Sequence, residues 1–215
     1  MHRKTALLGL LLGASLLALA AKDYTPPRVY PAKTYPARDE HPSEHVTIAA
    51  DPYDTPDKAE PVFALKYGEK DFLPIFLIIT NDGDEPVTLR NMRLQMVTAD
   101  RIKLAPATED DLYRRFTHLR RRGDEPSRNP LPIPLPRRSQ AGVSKQGVDE
   151  IERAPFRAQA VEPHVSQAGF IFFNVEGISH PLAGAHLYIT GVRDNGGSEL
   201  MFFDIPLEKY LTYKP

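Results

Sequence analysis

Phe72-Leu73-Pro74-Ile75-Phe76-Leu77-Ile78-Ile79 decides the fold class of this 215-residue chain. The run is apolar throughout and rich in β-branched and aromatic side chains, and its length suits a buried strand better than a helix. Pro74 has no N–H to give, which places it at the start of pairing, at a bulge or facing away from a neighbour. Asn81-Asp82-Gly83-Asp84 supplies turn residues that tolerate positive φ, and Pro86 to Val97 reads as the returning strand. In that return the apolar positions shift from Val87 and Leu89 to Met92, Leu94 and Met96. An odd-to-even slip turns a core face outward, so a bulge or short break is expected near Arg90-Asn91.

Downstream, Ile102 and Leu104 alternate with polar neighbours in a further short strand. Thr108 then opens a helix: its hydroxyl can cap a free N–H, and Glu109, Asp110 and Asp111 complement the positive end of the dipole. Leu112, Phe116 and Leu119 give that helix one narrow apolar face, and Arg120, Arg121 and Arg122 suit its negative end. Between Gly123 and Pro136 come prolines and charges, with Leu131-Pro132-Ile133-Pro134-Leu135-Pro136 alternating apolar and Pro, which reads as a long mobile loop. Strands return at Phe156 to Val161, Gly169 to Val175, Ala185 to Val192 and Glu199 to Ile205. The last two form a hairpin about Arg193-Asp194-Asn195-Gly196-Gly197, with Leu187 and Ile189 facing Leu200 and Phe202. Short strands at this spacing with one inserted helix predict an all-β fold, an antiparallel β-sandwich.

Upstream, a basic start (Met1-His2-Arg3-Lys4), an apolar run from Ala6 to Leu19 and a close on Ala18-Leu19-Ala20 have the order of a secretory signal peptide. The run is shorter than the roughly 20 residues a membrane span needs. Cleavage after Ala20 and a periplasmic or secreted product are expected. From Tyr24 to Pro61 there are eight prolines, few aliphatic residues and many charges, so residues 21–61 are expected to be a Pro-rich, disordered linker. Within it Tyr30-Pro31-Ala32-Lys33-Thr34 is followed by Tyr35-Pro36-Ala37-Arg38-Asp39, a repeat suited to extended backbone that either spaces the domain or presents two tyrosines to a partner. The expected domain is therefore 62–211, with helix and loop inserted at 108–155.

Composition narrows the function classes. Removal of Arg3 and Lys4 with the leader leaves 25 basic against 28 acidic residues, so no field of the kind that draws nucleic acid or an anionic membrane is present. The chain has no cysteine, which excludes disulfide staples, Cys-zinc sites and thiol nucleophiles and leaves stability to an apolar core. Exported eukaryotic domains of this size usually keep a disulfide, so a bacterial envelope is the expected setting. The sequence Ile75 to Asn81, the turn, Pro86-Val87-Thr88-Leu89 and Leu94 resembles the core strands of immunoglobulin-like domains in uncharacterised exported bacterial proteins. The tail, from Gly169-Phe170-Ile171-Phe172-Phe173 through Gly184-Ala185-His186-Leu187-Tyr188 to Glu199-Leu200-Met201-Phe202-Phe203-Asp204-Ile205-Pro206, resembles their closing strands. The resemblance implies a fold and an extracytoplasmic role and transfers no catalytic residue.

Candidate chemistry is sparse. His41 and His45, with Asp39, Glu40 and Glu44, offer metal-ligand types, but Pro42 opposes a helix that would align the rings, and no metal or cofactor site is assigned. His164, His180 and His186 fall in or beside the C-terminal strands and, with carboxylates, carry the alternative of a small extracytoplasmic enzyme. No nucleophile elbow, zinc-protease helix, phosphate loop or dinucleotide fingerprint appears in the sequence. Asp110-Asp111 reads as dipole complement rather than an acid/base pair. Arg122-Gly123-Asp124 matches a receptor-read tripeptide that any Arg-rich loop can produce. The one charge asymmetry is Arg114, Arg115, Arg120, Arg121 and Arg122, continued by Arg128, Arg137 and Arg138. Guanidinium forks there could grip an anionic envelope polymer or a protein, or simply form a solvated face balanced by Glu109, Asp110, Asp111, Asp124 and Glu125. The expected function is a non-enzymatic exported binding module, with a passive envelope component as a further alternative.

Overall fold

A computed structural model describes residues 23–117 and 142–212. In chain order its elements are β1 (Arg38–His41), β2 (Val46–Pro52), α1 (Pro56–Ala59), β3 (Phe72–Asn81), β4 (Val87–Thr88), β5 (Arg93–Val97) and β6 (Lys103–Leu104). There follow α2 (Glu109–Thr117), α3 (Lys145–Arg153), β7 (Ala160–Val161), β8 (Val165–Asn174), β9 (His186–Thr190), β10 (Phe203–Pro206) and α4 (Glu208–Thr212). The strands form two four-stranded sheets, ordered β1-β2-β3-β8 and β10-β9-β5-β6, and a two-stranded β4-β7 ribbon. Every strand pairing in them is antiparallel. The expected leader, residues 1–20, lies outside the described residues, as does the loop from Gly123 to Pro136.

The eight-residue run lies within β3, all ten residues of which are buried. Its side chains alternate between two cores. Leu73, Ile75, Leu77 and Ile79 meet Leu187, Ile189, Phe203 and Ile205 of the second sheet. Phe72, Phe76 and Ile78 meet Tyr53, Phe63, Tyr67, Leu112 and Ile151 on the other side, where helices and the segment before β3 form a further layer. A strand covered on both faces has no polar alternation to show, which is why the sequence there is continuous. On the helical side Tyr53, Phe63, Tyr67, Phe170 and Phe172 pack mostly edge to face or tilted, with Phe63 and Phe170 centroids 4.7 Å apart. Pro74 sits just past the β2 ladder, where its carbonyl accepts the Tyr53 N–H at 2.8 Å and its missing donor costs little.

Within the expected linker, residues 21–61, the described residues 23–61 are not the disordered segment that their composition predicts. All seven residues of β2 pair with β3, from Val46↔Asn81 to Pro52↔Ile75, and Ile48, Ala49 and Ala50 are fully buried. Tyr24 is buried too, beside the Thr25 N–H that donates to the Val62 carbonyl at 3.0 Å. The prolines that dilute the segment's average stand where a missing N–H is cheap. Pro31 precedes a 3-10 turn, Pro52 ends β2 and Pro56 opens α1. The ordered chain therefore starts well before residue 62.

Three smaller expectations change. The break near Arg90-Asn91 is a full separation: Val87-Thr88 pairs with β7, while Arg93–Val97 joins the second sheet. Of Phe156 to Val161, only Ala160–Val161 forms a strand. Phe156 instead crosses β8 over Gly169, where a Cβ would lie 2.5 Å from the Phe156 Cα. The Phe156 N–H donates to Phe170 and the Phe170 N–H to Ala154, so this crossing covers the free edge of β8. In the β9–β10 hairpin the inward residues are Phe203 and Ile205, opposite Ile189 and Leu187, whereas Phe202 is half exposed. Among its described residues the insertion at 108–155 holds two helices, α2 and α3, rather than one. In α3 the Ser144 hydroxyl accepts the Gly147 N–H at 3.1 Å, and buried Glu150 accepts the Ala64 N–H at 2.5 Å.

Candidate functional site

Helix α2 begins as its sequence requires. The Thr108 N–H and hydroxyl donate to Asp111 at 2.9 and 2.7 Å, and the Asp111 N–H returns a bond to the Thr108 hydroxyl at 3.2 Å. These donors hold the Asp111 carboxyl below its usual pKa. Leu112 is buried, and Phe116 meets the Tyr67 ring edge-on at 5.3 Å. The arginines on the same helix are spoken for. Arg114 donates to Asp111 at 2.9 Å, and Arg115 donates to the Lys70 carbonyl, to Asp71 at 2.9 Å and to Glu176 at 2.7 Å. The cavity beside them, about 920 Å³, carries Glu69, Asp71 and Glu176 as well as Lys70. Its charge is balanced from within, and Arg115 works as a tie between α2, the turn before β3 and the end of β8. Arg120, Arg121, Arg122, Arg128, Arg137 and Arg138 lie outside the described residues.

A different arginine set is open. Arg90 and Arg93, in and after the turn that separates β4 from β5, line a cavity of about 610 Å³ with Asn91, Thr190, Gly191, Arg193 and Glu199. The cavity exists because two backbones approach closely. Gly191 has φ +77°, and a Cβ there would lie 2.0 Å from the Asn91 carbonyl oxygen, so only glycine fits. Arg193 is fixed by its main chain, which exchanges both hydrogen bonds with Thr88 at 2.8 and 3.0 Å. One of its terminal nitrogens donates to the Gly197 carbonyl at 2.7 Å, while its Nε is buried without an acceptor. Glu199, the one carboxylate among the described residues lining the cavity, accepts the Gly191 N–H at 2.9 Å and pairs with the other terminal nitrogen of Arg193 at 3.4 Å. Arg90 and Arg93 are exposed, and their side chains make no hydrogen bond or ion pair among the described residues. Three guanidinium groups thus face one carboxylate, a surplus suited to an incoming anion. Nothing in the sequence gathers them, since Arg193 stands a hundred residues from the other two.

The histidines among the described residues serve the fold. His41 stacks on Phe203 at 3.9 Å, with Nδ1 2.7 Å from Glu44 and Nε2 3.4 Å from Asp39. The same two carboxylates accept the main-chain N–H groups of Met201 and Asp204, at 3.0 and 2.8 Å, and so join the edge of the first sheet to that of the second. Because these carboxylates sit at opposite ring nitrogens, the three groups do not converge on one ion. Among the described residues no cluster of three or more His, Asp or Glu is placed to hold a metal. His45, His164 and His180 take left-handed φ of 56°, 58° and 55°, a turn role that histidine fills more readily than most side chains. His164 meets exposed Asp84 at 3.1 Å and His186 meets Asp204 at 2.6 Å, each with its own partner.

No helix of the described residues is long and apolar enough to cross a membrane. No family model, curated protein or solved structure matches the chain.

Proposed function

We propose that this protein is an exported, non-enzymatic binding module of the bacterial envelope, an immunoglobulin-like β-sandwich that grips an anionic group with Arg90, Arg93 and Arg193. The observation that carries the reading is the cavity in which these three arginines face Glu199 alone, with a guanidinium Nε buried and unsatisfied. A carboxylate, phosphate or sulfate seated there would gain charge-assisted bonds from the exposed guanidinium groups of Arg90 and Arg93, which are otherwise without a partner among the described residues. The basic, apolar, small-residue order of residues 1–20 supports export, and two antiparallel sheets sharing one core support the sandwich. The protein partner or envelope polymer expected from the arginine cluster of the helix and loop enters here as the bearer of the anion.

Calorimetric titration of the processed chain with polyphosphate and with polyglutamate tests the reading. Saturable binding that weakens with salt is expected, and Arg90→Gln with Arg93→Gln should weaken it by roughly tenfold or more for each guanidinium bond lost. Equal binding by the double variant, or no binding of either polymer, refutes it.

A further inference from the structure

The cavity at Arg90 and Arg93 adjoins the outer face of the second sheet, because Arg93 and Thr190, which line it, are ladder partners that point outward. In β5 and β9 the inward side chains are Leu94, Met96, Leu187 and Ile189, so the next outward pair along the ladder is Gln95 and Tyr188. Tyr188 therefore stands about 7 Å along the strand from the cavity. Phe202 lies beside it, tilted 42° with ring centroids 6.5 Å apart, and stays 50% exposed. Among the described residues no cation lies over either ring. The side chains of Asn91, Gln95, Thr190 and Tyr188 make no hydrogen bond among the described residues, which leaves two amides and two hydroxyls to give and accept. The strands of this face carry two unpaired cations, Arg93 and, at the far end, Lys103 opposite Val97. Their one carboxylate, Asp204, is held by His186 at 2.6 Å, and the turn after β5 adds Asp100 and Arg101, one of each sign.

We infer that the anion gripped by Arg90 and Arg93 is a uronic acid carboxylate of a linear polysaccharide, whose chain runs from the cavity across Tyr188 and Phe202. The inference rests on the anion reading of that cavity. The apolar C–H face of a sugar ring lies flat on an aromatic ring, while its hydroxyls, each both donor and acceptor, match amides that offer both. A peptide is served less well. β9 is hydrogen-bonded to β10 on one side and to β5 on the other, so the middle of this face presents no ladder edge on which an extended strand could pair. Charge density narrows the polymer further. Arg93 and Lys103 stand about 14 Å apart along the sheet with uncharged Gln95 and Tyr188 between them, which suits acidic units separated by neutral ones. A chain charged at every unit would leave most of its charge uncompensated there.

The probe is a hexasaccharide of alternating glucuronate and N-acetylglucosamine, titrated calorimetrically into the processed chain. Saturable binding is expected, roughly tenfold or more tighter than that of the same hexasaccharide with its carboxyls reduced to alcohols. Phe202→Ser, at a half-exposed position that the fold tolerates, should weaken the hexasaccharide roughly fivefold and leave polyglutamate binding unchanged. Arg90→Gln with Arg93→Gln should weaken both. Saturation by polyglutamate without saturation by the hexasaccharide overturns this inference and leaves the anion reading in place. Equal hexasaccharide binding by Phe202→Ser, or equal binding of the carboxyl-reduced form, also overturns it. Absence of binding by polyphosphate, polyglutamate and the hexasaccharide alike removes the anion reading and this inference with it.

Discussion

Replacing Ile48 with alanine separates an integral N-terminal segment from a tethered linker. Ile48 is fully buried, belongs to the core between the two sheets, and lies opposite Asp39 on one side and Ile79 on the other. Its strand is held by ladders along both edges, so the backbone has little freedom to close over the space that a removed side chain leaves. Core Ile→Ala changes cost about 2–5 kcal/mol, and poor collapse places this one at about 3–4 kcal/mol. For a domain of this size that loss lowers Tm by about 10 °C and removes a large fraction of the total stability. Urea unfolding followed by tyrosine fluorescence reads the change as a lower midpoint at constant slope. Ile102→Ala, at a residue 44% exposed, is the control and should move stability by less than about 0.5 kcal/mol. If Ile48→Ala costs under about 1 kcal/mol, the placement of residues 46–52 within the core is refuted.

Gly169→Ala forces a Cβ within 2.5 and 2.8 Å of the Phe156 main chain, so one of two hydrogen-bonded backbones must shift. A loss of about 3 kcal/mol or more by thermal unfolding is expected, against little change for Gly68→Ala, which meets nothing within 4 Å. Alkali is a second lever. Burial raises the pKa of Tyr24 to about 12 and raises those of Tyr53, Tyr67 and Tyr210 further, with the charges of Glu150, Asp51 and Asp54 adding to it. Each phenol keeps its proton more tightly when folded, so its contribution is complete below the ordinary value near 10 and is lost as pH rises toward the folded value. Stability should therefore fall above pH 10, and absorbance of tyrosinate should show a late, cooperative step coincident with unfolding. Independent, reversible titration of all nine tyrosines near pH 10 would contradict this.

What the sequence made legible is local. The Phe72–Ile79 run names a strand from its own residues, Thr108 with Asp111 names a helix start, and the Asn-Gly-Gly turn names the last hairpin. What it concealed depends on distance along the chain. Val46-Thr47-Ile48-Ala49-Ala50 is a short apolar run whose signal drowned in the average of a proline-rich segment, although those prolines sit at element ends. The unbroken run of β3 carried the mark of burial on two faces, but the helices that cover its second face lie far along the chain. Helix α3, with polar residues and Gly147, offered only Ser144 and the pair Val148 and Ile151. The arginines of α2 read as an anion site because Asp71 and Glu176, which bind Arg115, come from other elements. The freer set at Arg90, Arg93 and Arg193 forms only once Gly191 lets two turns meet.

Hydrogen exchange followed by mass spectrometry tests the central claim most directly, that β3 is sheathed by a second sheet on one face and by the N-terminal segment and helices on the other. Peptides spanning residues 46–52 and 72–81 should exchange only through global unfolding, with protection equal to the unfolding free energy. Exchange of residues 46–52 at the rate of free chain while 72–81 stays protected would contradict it.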